Sequence, residues 1–200
     1  MGNTYTLYEK IEEERFLDAN DSKLVENVYR KYSAPLRSYG LKFCGKPDMV
    51  EDAIHDVFVD LWSRAKKLRQ LEHPKAYLYR ALRNEIITKQ KRAIRFVLSP
   101  DTSQSGLFPL EIDRETALIK SEIQEETLNR LQEGLASLSE NQREILFLRF
   151  NAGLSYEQIA ETMAIRQQSA LNLTHRAIKK LRSQVPEPVL IWIIATQLLR

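Results

Sequence analysis

The stretch Gly153–Arg182, GLSYEQIAETMAIRQQSALNLTHRAIKKLR, restricts the possible folds more than any other part of the chain. Ser155 stands three residues before Gln158, so hydroxyl and amide can each cap the other's backbone and start a helix there. Ile159, Ala160 and Met163 supply that helix's buried side, and Ala164, Ile165 and Arg166 make a tight turn. A second helix is expected from about Gln167 to Leu181. On it Ala170, Thr174, Ala177 and Leu181 recur at four, three and four, which places them on one face toward the first helix. Asn172, His175, Arg176 and Lys179 fall on the opposite face. Between Thr162 and Val185 there are five basic residues (Arg166, Arg176, Lys179, Lys180, Arg182) and no acid. Two braced helices whose outer face carries amides, an imidazole and cations suit the major groove of DNA. A solvated helical hairpin is the plainer reading of the same pattern.

The rest of the chain points to an all-α protein. Only 6 glycines and 7 prolines interrupt its 200 residues, and runs with strand-like alternation are nearly absent. That length suits one large domain or two small ones. The single cysteine, Cys44, excludes a disulfide framework and a cysteine-based metal site. His55, His73 and His175 are dispersed, so neither a metal nor another cofactor is expected. No basic-then-apolar leader opens the sequence, and a cytoplasmic protein is expected. The apolar run Val189–Leu199 has eleven positions, too few at ~1.5 Å each to cross a ~30 Å hydrocarbon core. It reads as a terminal helix covering its own domain or as a docking peptide.

Net charge is only +3, but the charges are grouped. Residues 63–95 hold eleven bases against two acids, and residues 96–137 hold eight acids against three bases. Two basic blocks flanking an acidic connector suggest two contacts with one polyanion, the connector being repelled from it.

From Ser22 onward Leu24, Val25, Val28, Tyr29, Tyr32, Leu36, Tyr39 and Phe43 have helical spacing, with Pro35 expected to kink or restart the helix. Cys44 packs near its end, closed by Gly45 and Pro47. A second helix is expected over Asp48–Leu68, with Val50, Ala53, Ile54, Val57, Phe58, Leu61 and Trp62 facing the core. Asp52, Asp56 and Asp60 lie four apart on its other side and repel one another, which hints at a basic partner. Ser63–His73 is a basic loop. Pro74 opens the next helix, which buries Leu78, Ala81, Leu82 and Ile86 and elsewhere shows Lys75, Tyr77, Tyr79, Arg80, Arg83, Asn84, Lys89 and Arg92. Cations take phosphates and aromatic faces take unstacked bases, so this mixture suits single-stranded nucleic acid. Packing on a neighbouring helix is the alternative for one of the two tyrosines. Phe96–Leu110 reads as a linker and Glu111–Gly134 as an acidic helix. Ser139 and Gln142 form a second capping box, opening a helix through Phe150 that ends before Gly153.

This order resembles an extracytoplasmic-function sigma factor, a small RNA polymerase sigma factor of the sigma-70-like family. EDAIHDVFVDLW (Glu51–Trp62) is similar to the family's polymerase-binding helix. HPKAYLYRALRNEIITKQKR (His73–Arg92) is similar to the part that melts and reads the minus-ten element. LSENQREILFLRFNAGLSYEQIA (Leu138–Ala160) with ALNLTHRAIKKLR (Ala170–Arg182) is similar to the minus-thirty-five reader. The resemblance implies two small helical domains joined by a flexible linker, the second a helix-turn-helix. Residues 1–95 would be region 2, 96–111 the linker, 112–184 region 4 and 185–200 an apolar tail. It implies core RNA polymerase contacts at Glu51, Asp52, His55, Asp56, Val59 and Asp60. Minus-ten contacts are implied at Arg64, Lys66, Lys67, Arg69, Lys75, Tyr77, Tyr79, Arg80, Arg83, Asn84 and Arg92. Minus-thirty-five contacts are implied at Arg166, Gln167, Gln168, Asn172, His175, Arg176 and Lys179. Promoter DNA and an anti-sigma factor, membrane-tethered in many members, are the other implied partners, and no catalysis is implied. Thr88, Ala164, Arg166, Leu171 and Leu173 depart from residues common in the family, which bears on base preference and not on the fold. A helix-turn-helix regulator with an N-terminal dimerisation or ligand domain is the rival reading; a nucleic-acid enzyme lacks its metal or nucleophile set.

Overall fold

The computed structural model describes residues 21–64, 68, 70–96, 108 and 125–184. Residues 1–20, most of the linker, the start of the acidic helix and the apolar tail lie outside them. Among the described residues every regular element is a helix, and none is long and apolar enough to cross a membrane. No group of His, Cys, Asp and Glu side chains among them could hold a metal ion. The described residues divide into two compact units, one taking in 21–40 and 46–96, the other 125–184 with Leu41–Gly45 and Phe108.

Three helices build the first unit. Helix α1 (Asp21–Cys44) buries Leu24, Val25, Val28, Tyr32, Leu36 and Tyr39 along one stripe. Pro35 lies inside it without ending it. The proline is exposed, so the backbone donor it lacks is missing on the side where water can serve the freed carbonyl. Helix α2 (Pro47–Ser63) begins on a proline and buries Val50, Ala53, Ile54, Val57, Phe58 and Leu61. It stops short of the expected Leu68: the Ser63 hydroxyl takes the Asp60 carbonyl at 2.8 Å, and Arg64 leaves helical geometry. Trp62, expected in the core, is 57% exposed. Helix α3 (Pro74–Phe96) buries Ala76, Leu78, Tyr79, Leu82 and Ile86, whereas Ala81 is only half-buried. Tyr79 meets Tyr39 edge to face, with centroids 5.2 Å apart. The three helices crowd together at Gly40. A Cβ there would lie 2.7 Å from Val50 Cγ1 and 3.5 Å from Ile86 Cδ1.

The second unit contains α4 (Glu125–Ser137), α5 (Glu140–Leu146), a π-helical segment (Phe147–Asn151), α6 (Tyr156–Met163) and α7 (Gln167–Arg182). Helix α4 runs through Gly134, where the sequence suggested an end. The glycine serves close packing: a Cβ would come within 3.3 Å of Leu181 Cδ2 and Gln184 Cγ. The Ser139 capping box forms as expected, with Gln142 N donating to Ser139 Oγ at 3.3 Å and Ser139 N donating to Gln142 Oε1 at 2.9 Å. Arg143 reaches back from α5, and its Nη1 donates to the carbonyls of Leu135, Ala136 and Leu138 at 3.4, 3.3 and 2.9 Å. Those carbonyls belong to the last turn of α4 and the bend after it, where no helical donors remain. Leu131, Leu135, Leu138, Leu146, Ala177 and Leu181 form the core beside this clamp, flanked by Phe150 and Ile178. The helix opened by Ser139 closes as a π turn, Ala152 N donating to Phe147 O at 2.9 Å. Phe108, which the sequence assigned to the linker, is 1% exposed and packs edge to face on Phe147 with centroids 5.6 Å apart.

Val50 is β-branched and fully buried, so it cannot rotate away from a new methyl group at position 40. Gly40→Ala is therefore expected to lower stability by about 1–3 kcal/mol, read as a shift of the urea unfolding midpoint at unchanged slope.

Candidate nucleic-acid interface

The second unit carries the clearer surface. Helix α6 starts at Ser155, whose Oγ accepts from Gln158 N at 3.2 Å while Gln158 Oε1 accepts from Ser155 N at 2.9 Å. Its entry is braced by Arg149, which donates to the Leu154 carbonyl at 2.8 Å and lies over the Tyr156 ring at 4.8 Å. Ile159, Ala160, Thr162 and Met163 point inward, and the Thr162 hydroxyl is satisfied by the Gln158 carbonyl at 2.8 Å. The helix ends on Ala164 in the left-handed region, φ 55° and ψ 46°. Ile165 N then donates to Ala160 O at 2.9 Å, the six-to-one bond of a Schellman turn. Glycine is the residue that adopts this conformation without strain; alanine pays about 1 kcal/mol for its Cβ.

That turn delivers the chain to Arg166, an N-cap with no side-chain cap bond, and into α7. The inner face is the one expected: Ala170, Thr174, Ala177 and Leu181 are each at most 2% exposed. Thr174 hides its hydroxyl on the Ala170 carbonyl at 3.1 Å. Arg166, Gln167, Gln168, Asn172, His175, Arg176 and Lys179 are all exposed. Gln168 Nε2 donates to Asn172 Oδ1 at 3.1 Å, which orders two amides along the outer face. Lys180 is turned away from that face and donates to the Ser137 carbonyl at the end of α4. Leu171 is 41% exposed between these polar neighbours. The outer face therefore offers donors, acceptors, cations and one apolar side chain, with no acid to repel phosphate.

In the first unit the expected residues fall on two surfaces, except Tyr79, which is buried. Along α2, Glu51, Asp52, His55, Asp56 and Val59 are exposed and Asp60 is half-buried. Part of the acidic row is already answered within the unit. Lys89 Nζ reaches Asp56 Oδ2 at 2.6 Å and Glu85 Oε1 at 3.9 Å, and Arg64 Nε reaches Asp60 Oδ1 at 3.2 Å. Arg37 pairs with Glu51, and that hydrogen bond and charge raise the guanidinium's pKa. These pairs relieve the repulsion between neighbouring aspartates; being exposed, each is worth little on its own.

Beside the acids lies an apolar cleft of about 790 Å³ lined by Tyr29, Ile54, Phe58, Val59 and Trp62, with Glu51 and Asp52 on its rim. Tyr29, Val59 and Trp62 are 50%, 55% and 57% exposed, the largest exposures among the big apolar side chains described. Tyr29 stands edge-on to Phe58 with centroids 4.9 Å apart. Helical spacing gave no warning of this cleft. A stripe wide enough to face the core and a partner reads the same as one facing the core alone.

On α3, Arg80, Asn84 and Arg92 are exposed, and Lys75, Tyr77 and Arg83 are half-buried. Tyr77, Arg80 and Asn84 recur at three and four and share one face. Thr88 bonds back to the Asn84 carbonyl at 2.8 Å. Tyr79 does not belong to this surface: it is 1% exposed against Tyr39, so its ring has no face to offer a base, and burial pushes its phenol pKa up. Tyr77 is the tyrosine of the pair that reaches solvent. Arg64 is exposed but engaged with Asp60 at the end of α2. Lys66, Lys67 and Arg69 lie outside the described residues.

Comparison with known proteins gives the same two-part division. Residues 28–95 match the family model for sigma-70 region 2, and residues 134–183 match that for sigma-70 region 4. The chain is similar to the RNA polymerase sigma factor YlaC of Bacillus subtilis, 22% identical over 161 residues, which cover 80% of this chain and 91% of that protein. It is also similar to the ECF RNA polymerase sigma factor SigL of Mycobacterium tuberculosis, 25% identical over 172 residues, covering 84% of this chain and 93% of that protein.

Because Ala164 is exposed and left-handed, Ala164→Gly is expected to raise stability by about 1 kcal/mol. Urea unfolding checks this, and an unchanged or lower midpoint would show that the turn carries no strain.

Proposed function

The chain belongs to the sigma-70 family, in its extracytoplasmic-function branch, and is a transcription initiation factor that directs RNA polymerase to promoters; on that premise we propose how its two units divide the task. Residues 1–95 act as region 2 and residues 112–184 as region 4, with 96–111 joining them and 185–200 forming a tail. In the second unit Arg166, Gln167, Gln168, Asn172, His175, Arg176 and Lys179 read the minus-thirty-five element as a duplex. The observation that carries this assignment is the acid-free outer face of α7, on which Gln168, Asn172, His175, Arg176 and Lys179 are exposed, with Arg166 and Gln167 exposed at its N-terminus, while the inner face is closed by Ala170, Thr174, Ala177 and Leu181.

In the first unit the α2 surface (Glu51, Asp52, His55, Asp56, Val59, Asp60) docks on core polymerase, with Tyr29 and Trp62 adding apolar contact. Burying two half-exposed rings contributes on the order of 1–3 kcal/mol each, more than any one exposed ion pair. Acids around the cleft then select a basic partner and steer it. Lys75, Tyr77, Arg80, Arg83, Asn84 and Arg92, with Arg64, Lys66, Lys67 and Arg69, hold the minus-ten element and its opened strand. The cations take phosphates, and Tyr77 offers a ring to an unstacked base. An inhibitory anti-sigma partner and a cytoplasmic setting accord with the family, which is not one of enzymes.

Reconstitution with core polymerase tests this division. Asp52→Arg reverses a charge on the cleft rim and is expected to weaken core binding about tenfold, about 1.4 kcal/mol, with an unchanged unfolding midpoint. Asp56→Arg is a poorer probe because it would also confront Lys89. Arg176→Ala is expected to leave core binding intact, weaken promoter binding, and lower its salt slope by about one. Loss of core binding in Arg176→Ala, or none in Asp52→Arg, contradicts the division.

A further inference from the structure

Leu171 lies on α7 one position before Asn172, three after Gln168 and four before His175. It is the one large apolar side chain of that helix that is 41% exposed, on a surface otherwise built of amides, imidazole and cations. Its neighbours in helical register, Gln168 and His175, are both exposed residues of the proposed reading surface, so the leucine is carried to the groove whenever they are. Of the base edges in a major groove, only thymine presents an apolar group, its C5-methyl. A leucine brought against any other edge would strip water from a donor or acceptor without replacing it. Amides complement the N7 and N6 of adenine, the partner of that thymine. The Gln168–Asn172 pair, already hydrogen-bonded at 3.1 Å, sets two such amides beside the leucine.

We propose that Leu171 is a specificity-determining residue that packs on the C5-methyl of one thymine in the upstream promoter element, so that this chain requires an A·T pair there. The proposal rests on the reading of α7 as the duplex-binding helix and adds the base to it. The van der Waals contact replaces water on both apolar groups, and no donor or acceptor is lost in making it. Loss of the methyl should cost roughly fourfold in binding, the equivalent of one buried methyl-sized group.

The test uses the full chain assembled with core polymerase on a promoter selected from a random library. Each thymine of its upstream element is replaced singly by deoxyuridine, which removes the methyl and leaves the pairing edge intact. The wild-type holoenzyme is expected to lose about fourfold at one position. Leu171→Ala is expected to bind the thymine promoter about fourfold less tightly and to show no further loss with deoxyuridine, whereas Leu171→Met keeps the discrimination. Circular dichroism confirms that the exposed substitutions leave the fold intact. Wild-type indifference to deoxyuridine at every position, an element with no thymine, or a deoxyuridine penalty that persists in Leu171→Ala each overturns the proposal. Binding that ignores the upstream element altogether would overturn the reading of α7 itself, and the two failures are thereby told apart.

Discussion

Small side chains at a helix crossing hold the second unit together. Ala170, Thr174 and Ala177 let α7 lie close against its neighbours α4, α5 and α6, and a helix fixed along one face has no freedom to roll. The opposite face is then oriented by that packing, and the Gln168–Asn172 hydrogen bond orders two of its amides. Enlarging any of those three residues would push α7 outward and rotate the exposed side chains of its outer face with it. Arg143 supports the same arrangement from behind. It supplies donors to three carbonyls at the end of α4, where the helix has none left, and Lys180 adds a fourth contact from α7.

Much of this was legible in the sequence because the signals were local. Both capping boxes depend on a residue and its third neighbour, and both form. The four-three-four pattern on α7 depends on one helix's period and needs no knowledge of the partner. Where the reading went astray, the missing information was tertiary. Trp62 and Tyr79 are both aromatic residues on amphipathic helices, yet one is exposed and the other buried. Periodicity gives each a direction and does not say whether another helix waits there. Tyr39 waits for Tyr79; Trp62 faces a cleft. Gly134 looked like a helix end because glycine commonly is one, when its role is to let α4 approach Leu181 and Gln184. Phe108 sits among prolines, serines and a glycine, a composition that reads as linker, and no local rule shows that one ring of such a stretch is packed on Phe147.

The surfaces proposed for the two units have opposite chemistry. On α7 the proposed reading groups are amides, cations and one leucine on a rigid helix, where a shift of an ångström would unmake hydrogen bonds, and a tightly packed inner face suits that demand. The cleft on the first unit is apolar at its centre and charged at its rim, an arrangement that tolerates small misplacements because dispersion and water release are not directional. The docking role proposed for that surface would gain from such tolerance.

The ion pair between Asp56 and Lys89 ties the outer side of α2 to α3. A cation arriving at Asp56 cannot simply add to what is there; it has to evict an ammonium group. Lys89 would then face Glu85 across 3.9 Å, on the same helix that carries Arg80 and Asn84. Charge on one helix is thereby set against charge on the next. The acids of α2 and the outer side of α3 are thus linked electrostatically through the Lys89 ammonium.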